Sequence, residues 1–143
     1  MTDRKQAEEA LRLNQDRLAF VLRTTGIGLW LNTLPLGALN WDNRTRELFF
    51  IPPDAEPTIE LFWSRIHPDD REPTRLAVEA ALRDRTLYAI DHRAVNPDTG
   101  EIRWIRSVGQ ASYAPDGTPI LFDGINCDIT DRQQAEAVLE ERK

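Results

Sequence analysis

Two histidines and two adjacent aspartates are the side chains of this sequence with the greatest capacity for chemistry. The histidines are His67 and His92, and the aspartates are Asp69 and Asp70. Adjacent carboxylates and an imidazole could transfer protons as general acid and base. Aspartates just before a helix more often accept hydrogen bonds from its first turn. We expect that capping role here, with Glu72 completing a capping box with Asp69.

Other signatures of catalytic and metal sites are missing from the sequence. It has no glycine-rich phosphate loop, no Ser/His/Asp pattern and no Cys/His spacing that would hold a metal. The single cysteine, Cys127, rules out an internal disulfide and a multi-thiolate metal site, and it fits a reducing, cytoplasmic setting. We therefore predict no catalytic residues and no metal ligands.

Length and charge restrict the possible classes further. The chain has 143 residues, which suits one domain, and its net charge of −6 lacks the positive field of a nucleic-acid binder. The longest uncharged run, residues 24–41, contains Thr, Asn and Pro among alternating apolar residues. This pattern predicts strands rather than a membrane span. The charged N-terminus lacks the apolar region of a signal peptide.

The pattern of elements predicts an α+β domain. An apolar stripe predicts a helix over residues 3–23, and alternation predicts a hairpin over residues 27–41 whose second strand is residues 39–41. Short helices should fill residues 43–84. Three further strands should occupy residues 87–95, 102–113 and 119–129, before a helix that Thr130 caps. Strands joined by hairpins form an antiparallel sheet, and the central helices must cover one face of it.

Alternation along the strands places two polar side chains on faces that could meet those helices. His92 shares a face with Ile90 and Ala94, and Asn126 shares one with Phe122. Either side chain could bond a ligand in a cavity under the helices. The alternatives are that His92 bonds a backbone carbonyl and that Asn126 pairs with a neighbouring side chain or a water.

Several segments in order resemble a PAS domain, a sensory module of bacterial signalling proteins. They are residues 67–71 (His-Pro-Asp-Asp-Arg), residues 98–105, the Pro-Asp-Gly turn at residues 115–117, and residues 124–132, which contain Asp-Ile-Thr. The resemblance covers residues 24–132. It implies a five-stranded antiparallel sheet with short helices over one face and a small cavity between them. The implied divisions are an N-terminal flanking helix (1–23), a sensor core (24–130) and the start of an output helix (131–143).

The resemblance also implies a function and a binding site. The chain would bind a small ligand or partner and relay that event to an output domain, a histidine kinase or a cyclic-dinucleotide enzyme, without being an enzyme itself. The implied position of Asn126 faces the cavity. The candidate ligand-binding residues are Trp63, Leu76, Ile90, His92, Phe122 and Asn126.

Departures from the family's cofactor-binding members restrict the ligand. The flavin photosensors carry a reactive cysteine on a central helix, whereas Cys127 lies on the last strand. Haem-binding relatives supply a histidine from the central helices, and none lies between Asp69 and Arg85. A covalent flavin adduct and haem are therefore disfavoured, and a non-covalent flavin or a small metabolite stays open.

Two further sets of residues are candidates for signal transfer and assembly. Arg93, Trp104, Asp128 and Thr130 could couple the last strands to the output helix, with Arg–Asp pairing near the sheet end; the alternative is ordinary surface charge. Leu11, Leu18 and Leu22 could pack on the outer face of the sheet or on a second copy in a homodimer. Two other functions stay open, a ligand-free dimerisation spacer and a small cone-shaped α+β enzyme.

Overall fold

The computed structural model describes residues 2–141 and confirms an α+β fold. A single sheet has the strand order β1-β4-β3-β2, and every neighbouring pair is antiparallel. The elements are α1 (Thr2–Thr25), β1 (Gly28–Thr33), α2 (Asn43–Leu48), α3 (Ile59–Arg65), α4 (Pro68–Asp84), β2 (Tyr88–Val95), β3 (Ile102–Tyr113), β4 (Pro119–Asp128) and α5 (Thr130–Glu141). Met1, Arg142 and Lys143, which the predicted flanking segments include, lie outside the described residues.

The predicted fifth strand is reduced to isolated bridges. Trp41 bridges to Trp30, and the backbone of Asn40 accepts a hydrogen bond of 2.9 Å from Leu31. The pairing ends because Asp42 is the N-cap of α2, with its side chain accepting from the Thr45 N–H at 2.9 Å. The sheet therefore has four strands within the described part of the chain.

The predicted cap of α4 is wrong in its residues. His67 is the N-cap, and its Nδ1 accepts from the Asp69 N–H at 3.1 Å. Pro68 occupies the first helical position, where a missing N–H is harmless, so the helix begins before either aspartate could cap it. Glu72 pairs with Arg75 instead of completing a capping box.

The core lies between the inner face of the sheet and α2, α3 and α4. Trp30 lies across this face, where a Cβ added at Gly109 or Gly124 would overlap its indole. The two glycines therefore make room for a large aromatic ring at the centre of the sheet. Phe122 meets the Trp30 ring edge-on at a centroid distance of 4.9 Å.

Helix α1 extends away from this core. Its 24 residues include no fully buried side chain among those whose burial is described, and Leu11 and Leu18 are 59% and 50% exposed. Leu22 is half-buried. Within residues 2–141, no helix combines the length and apolar character needed to cross a membrane.

Candidate functional site

A small cavity lies between the inner face of the sheet and the central helices. Its volume is about 60 Å³. Among its lining residues are the polar side chains of Asn32, Ser107 and Asn126, and none of the lining side chains is charged. The aromatic wall consists of Trp30, Trp41, Phe49, Phe62, Trp63, Tyr88 and Phe122.

The structure brings only part of the predicted ligand-binding set to this cavity. Trp63, Phe122 and Asn126 line it. Leu76 is 51% exposed and lies outside, because α4 turns Thr74, Val78 and Ala81 inward and leaves Leu76 on its solvent face.

Ile90 and His92 lie behind the lining rather than in it. Ile90 is half-buried against the core, and His92 is fully buried. Neither contributes to the cavity wall.

His92 belongs to a buried chain of side-chain hydrogen bonds. Its Nδ1 lies 3.4 Å from Thr74 Oγ1, and its Nε2 lies 3.0 Å from Ser107 Oγ. Ser107 Oγ donates to Asn126 Oδ1 at 2.5 Å. The polar chain of Thr74, His92, Ser107 and Asn126 thus crosses from α4 through β2 and β3 to β4, and it ends at the cavity.

Burial keeps the His92 ring neutral. Removal from water lowers the pKa of His92 to about 4, against an opposing attraction from Asp70 and Asp91. A neutral imidazole has one donor and one acceptor nitrogen, which matches its two hydroxyl partners. The ring therefore serves as a connector in the polar chain at neutral pH.

At the edge of the sheet, Arg93 of β2 holds the start of α4. Its backbone N–H and its Nε both bond Asp70 Oδ2, at 2.8 and 2.9 Å, and its Nη2 bonds Oδ1 at 2.7 Å. Its carbonyl accepts from the His67 N–H at 2.9 Å. The hydrogen bond from Arg93 lowers the pKa of Asp70, so the pair stays charged at neutral pH.

On the next strand, Trp104 of β3 holds the start of α5. Its N–H donates to Thr130 Oγ1 at 2.9 Å, and its carbonyl accepts from the Ile129 N–H at 2.9 Å. Asp128 Oδ1 accepts from the N–H of Thr130 at 2.9 Å and from its hydroxyl at 2.6 Å. The prediction that Thr130 caps α5 is therefore corrected. The Thr130 hydroxyl accepts from Trp104 of the sheet, and Asp128 supplies the side-chain acceptor at the start of the helix.

Arg93 and Trp104 join these two anchor points. They are directly opposed in the β2–β3 register, and the Arg93 Cζ lies 5.2 Å from the centroid of the Trp104 ring. We call Asp70, Arg93, Trp104, Asp128 and Thr130 the junction cluster. All four predicted coupling residues belong to it, although their signalling role stays a prediction.

Comparison with known proteins identifies the family. The family described as the PAS fold matches residues 38–126. The chain belongs to the PAS family. The PAS domain is 27% identical over 140 residues to the "Probable diguanylate cyclase DgcE" of Escherichia coli and 30% identical over 118 residues to the "Sensor protein FixL" of Bradyrhizobium diazoefficiens. These alignments cover 97% and 82% of the chain but only 12% and 23% of the two relatives.

Solved structures agree with this assignment. A sensory box histidine kinase/response regulator from Burkholderia thailandensis matches with a TM-score of 0.74 and 30% identity, over 88% of this chain and 94% of that one. The N-terminal domain of a diguanylate cyclase with a PAS/PAC sensor from Marinobacter aquaeolei matches in fold, with a TM-score of 0.66 and 21% identity over 75% of this chain and 98% of that one. The chain is a PAS sensory module homologous to domains of sensor kinases and diguanylate cyclases, a family of generally non-catalytic domains.

Sequence reasoning missed several residues of this PAS domain's site. Asp70 was assigned to a cap, whereas it binds Arg93 across 23 positions of the chain. Ser107 could have been found, because it shares the inner face of β3 with Ile105 and its neighbour Arg106 points outward. Thr74 gives no such signal, since a threonine inside a helix is ordinary.

The neutral His92 gives the PAS domain a specific dependence of stability on pH. An unfolded histidine titrates near about pH 6.5, so below that pH the unfolded chain binds a proton that the native ring does not. The free energy of unfolding should therefore fall by about 2 kcal/mol between about pH 6.5 and about pH 4.5. Urea titrations across this range should show the fall in the wild type and in His67→Gln, and its loss in His92→Gln. An equal fall in His92→Gln would show that another group causes it.

Proposed function

We propose that this PAS module reports occupancy of its cavity by changing how α5 leaves the sheet. The observation that carries the proposal is the contact between Arg93 and Trp104, because these two residues hold the starts of α4 and α5. A ligand and an output helix can influence each other only through an element whose arrangement both of them bias. The junction cluster supplies that element.

The first step links the cavity to α4. Val78 of α4 lines the cavity, and Thr74, one turn earlier, bonds His92 of the polar chain. A ligand that displaces the Val78 side chain therefore acts on α4 directly. A ligand that bonds Asn126 acts on α4 through the polar chain. Helix α4 is continuous from Pro68 to Asp84, with Pro73 as an interior proline that removes one backbone hydrogen bond, and it carries a shift toward its own N-terminus.

The second step links α4 to α5. A shift at the start of α4 pulls on the bidentate Asp70–Arg93 pair, and Arg93 lies against the Trp104 ring. The Trp104 backbone bonds Thr130 and Ile129, at the first turn of α5. This junction is short enough for a small strand movement to become a rotation of the helix.

A downstream domain would read that rotation. The relatives are a probable diguanylate cyclase and a sensor protein, of which this chain spans only a small part. We infer a histidine kinase or cyclase domain as the output partner in the parent chain. We also infer a cytoplasmic location, which the free thiol of Cys127 supports. Catalysis by this module has no such support: Ser107 directs its proton to Asn126 and not to His92, so the pair lacks an activated nucleophile.

The apolar stripe of α1 supports a second role in self-association. Leu11 and Leu18 are at least half exposed, and an isolated helix that exposes such side chains gains little stability in water. The outer face of the sheet presents apolar groups that include Leu31 and Val108 around an open groove. We propose that the stripe of Leu11, Leu18 and Leu22 packs against a second copy; a ligand-free spacer would use the same contact.

Relay through the junction cluster can be tested in a chimera. This chain would replace the matched segment of the DgcE protein, and cyclase activity would be measured for Thr130→Val and Asp128→Ala. Each substitution removes two hydrogen bonds of the junction cluster and should change the activity by about fivefold or more, since couplings between sites are typically about 1–3 kcal/mol. Thermal unfolding of the isolated module should change little.

The matched control is Thr118→Val, in an exposed turn remote from α5. Unchanged cyclase activity in both junction variants would contradict the relay. So would an activity change that merely follows unfolding of the core.

Self-association can be tested on α1 itself. Leu18→Asp should weaken dimerisation by about tenfold or more, because it places a charge in the proposed apolar contact. Sedimentation equilibrium would measure this. Leu13→Asp, on the opposite face of the same helix, should leave the association constant unchanged. Equal effects of both substitutions would contradict a contact through the Leu11–Leu18–Leu22 stripe.

A further inference from the structure

We infer that the cavity binds a small uncharged molecule that is mostly apolar and carries one hydrogen-bond acceptor, such as a carbonyl group. This inference rests on the proposed sensory function and specifies its ligand class. It follows from the size of the cavity, the absence of charge in its wall and the kind of polar group left free there.

The size of the cavity excludes most cofactors in this conformation. Its volume of about 60 Å³ lies far below the range of roughly 300–1,000 Å³ that holds drug-sized ligands. One buried water needs about 10–15 Å³ of such space, so the cavity matches about four to six waters or a molecule of about four non-hydrogen atoms. Flavin and haem are much larger than this.

The chemistry of the wall excludes ions. The lining residues include no Lys, Arg, Asp, Glu or His, and burial of an unpaired ion in such an apolar site costs several kcal/mol. His92 lies behind Ser107 and is neutral, so it supplies no positive charge to an anion. An uncharged ligand is the class that this wall favours.

The two amide side chains of the wall offer donors to the cavity. Asn32 and Asn126 are 6% and 2% exposed. Each has its amide oxygen occupied, by the Asn40 N–H and by Ser107. Neither amide nitrogen bonds another residue within the described chain, and an amide nitrogen can only donate. The ligand should therefore bring an acceptor.

The polar chain fixes this direction at Asn126. Ser107 has one proton, and the 2.5 Å bond gives that proton to Asn126 Oδ1. Ser107 Oγ must then accept from His92 Nε2–H, which leaves His92 Nδ1 to accept from Thr74. Every proton thus points from α4 toward the cavity, and the last group of the series, the Asn126 NH₂, faces a ligand as a donor. Thr74, His92 and Ser107 act as positioning residues.

Three probes of matching trigonal shape and size test the ligand class on the full 143-residue chain. Acetone carries a carbonyl acceptor, 2-methylpropene replaces its oxygen by a methylene group, and acetate adds a charge. Binding would be followed by saturable shifts of the amide resonances, including the Asn126 NH₂ pair. Acetone should bind with a Kd no tighter than about 50 µM, since so few atoms have limited binding capacity. Acetate should produce no saturable shift.

The decisive quantity is the change, from wild type to variant, in the preference ratio for acetone over 2-methylpropene, because this comparison cancels the difference in hydration between the two probes. Asn126→Leu should lower this ratio by about threefold to tenfold, the range of one hydrogen bond. The matched control is Gln110→Leu, on the outer face of the same sheet, which should leave the ratio unchanged. If Asn126→Leu does not fold, Ser107→Ala takes its place and should also lower the ratio, because the amide is then free to turn.

Three results would overturn the ligand class: acetate binding as tightly as acetone, a ratio unchanged by the replacement of Asn126 or Ser107, or purification of the chain with flavin or haem bound. Failure here with a positive chimera experiment would refute the ligand class and leave the relay standing. If acetone binds as expected but the junction variants leave cyclase activity unchanged, the relay is refuted and the ligand class stands.

Discussion

Arg93 and Trp104 lie opposite each other on β2 and β3, and the two points where helices leave the sheet depend on them. Both residues use their backbone N–H and carbonyl outside the sheet ladder, Arg93 toward the start of α4 and Trp104 toward the start of α5. Their side chains lie against each other at 5.2 Å. Because the backbone N–H and carbonyl of both residues bond groups at the helix starts, a shift of either helix start strains or breaks a hydrogen bond at this pair.

The interior depends on a second constraint, a polar chain in apolar surroundings. Thr74, His92, Ser107 and Asn126 are all at most 3% exposed. A buried network that loses one member leaves the others unsatisfied, so its geometry is narrowly defined. Removal from water lowers the pKa of His92 and keeps the ring uncharged. The polar chain therefore connects α4, whose Val78 lines the cavity, to β4, the strand that precedes the output helix α5.

Local patterns predicted most elements, and long-range contacts account for what they missed. Alternation and the turns at residues 96–100 and 114–117 located β2, β3 and β4 within a residue of their ends. The fifth strand predicted at residues 39–41 is reduced to isolated bridges, because Asp42 caps α2 directly after Trp41 and leaves only a short segment for pairing. Asp70 and Thr74 could not be found, since their partners lie 23 and 18 positions away and no periodic pattern records such a pairing. Leu76 was misplaced because a narrow apolar pattern left the phase of α4 ambiguous.

Amide hydrogen exchange at the start of α5 tests the coupling between the two helix starts most directly. Asp70→Asn removes the charge that holds Arg93, far from any contact with α5. Exchange at the Gln133 N–H, which bonds the Ile129 carbonyl in the first turn of α5, should accelerate by about fivefold or more, while amides in the centre of β3 stay protected. Glu79→Gln, which removes the charge of the exposed Arg75–Glu79 pair on the same helix as Asp70, should leave exchange at Gln133 unchanged. Unaltered exchange at Gln133 in Asp70→Asn would contradict the coupling between the starts of α4 and α5.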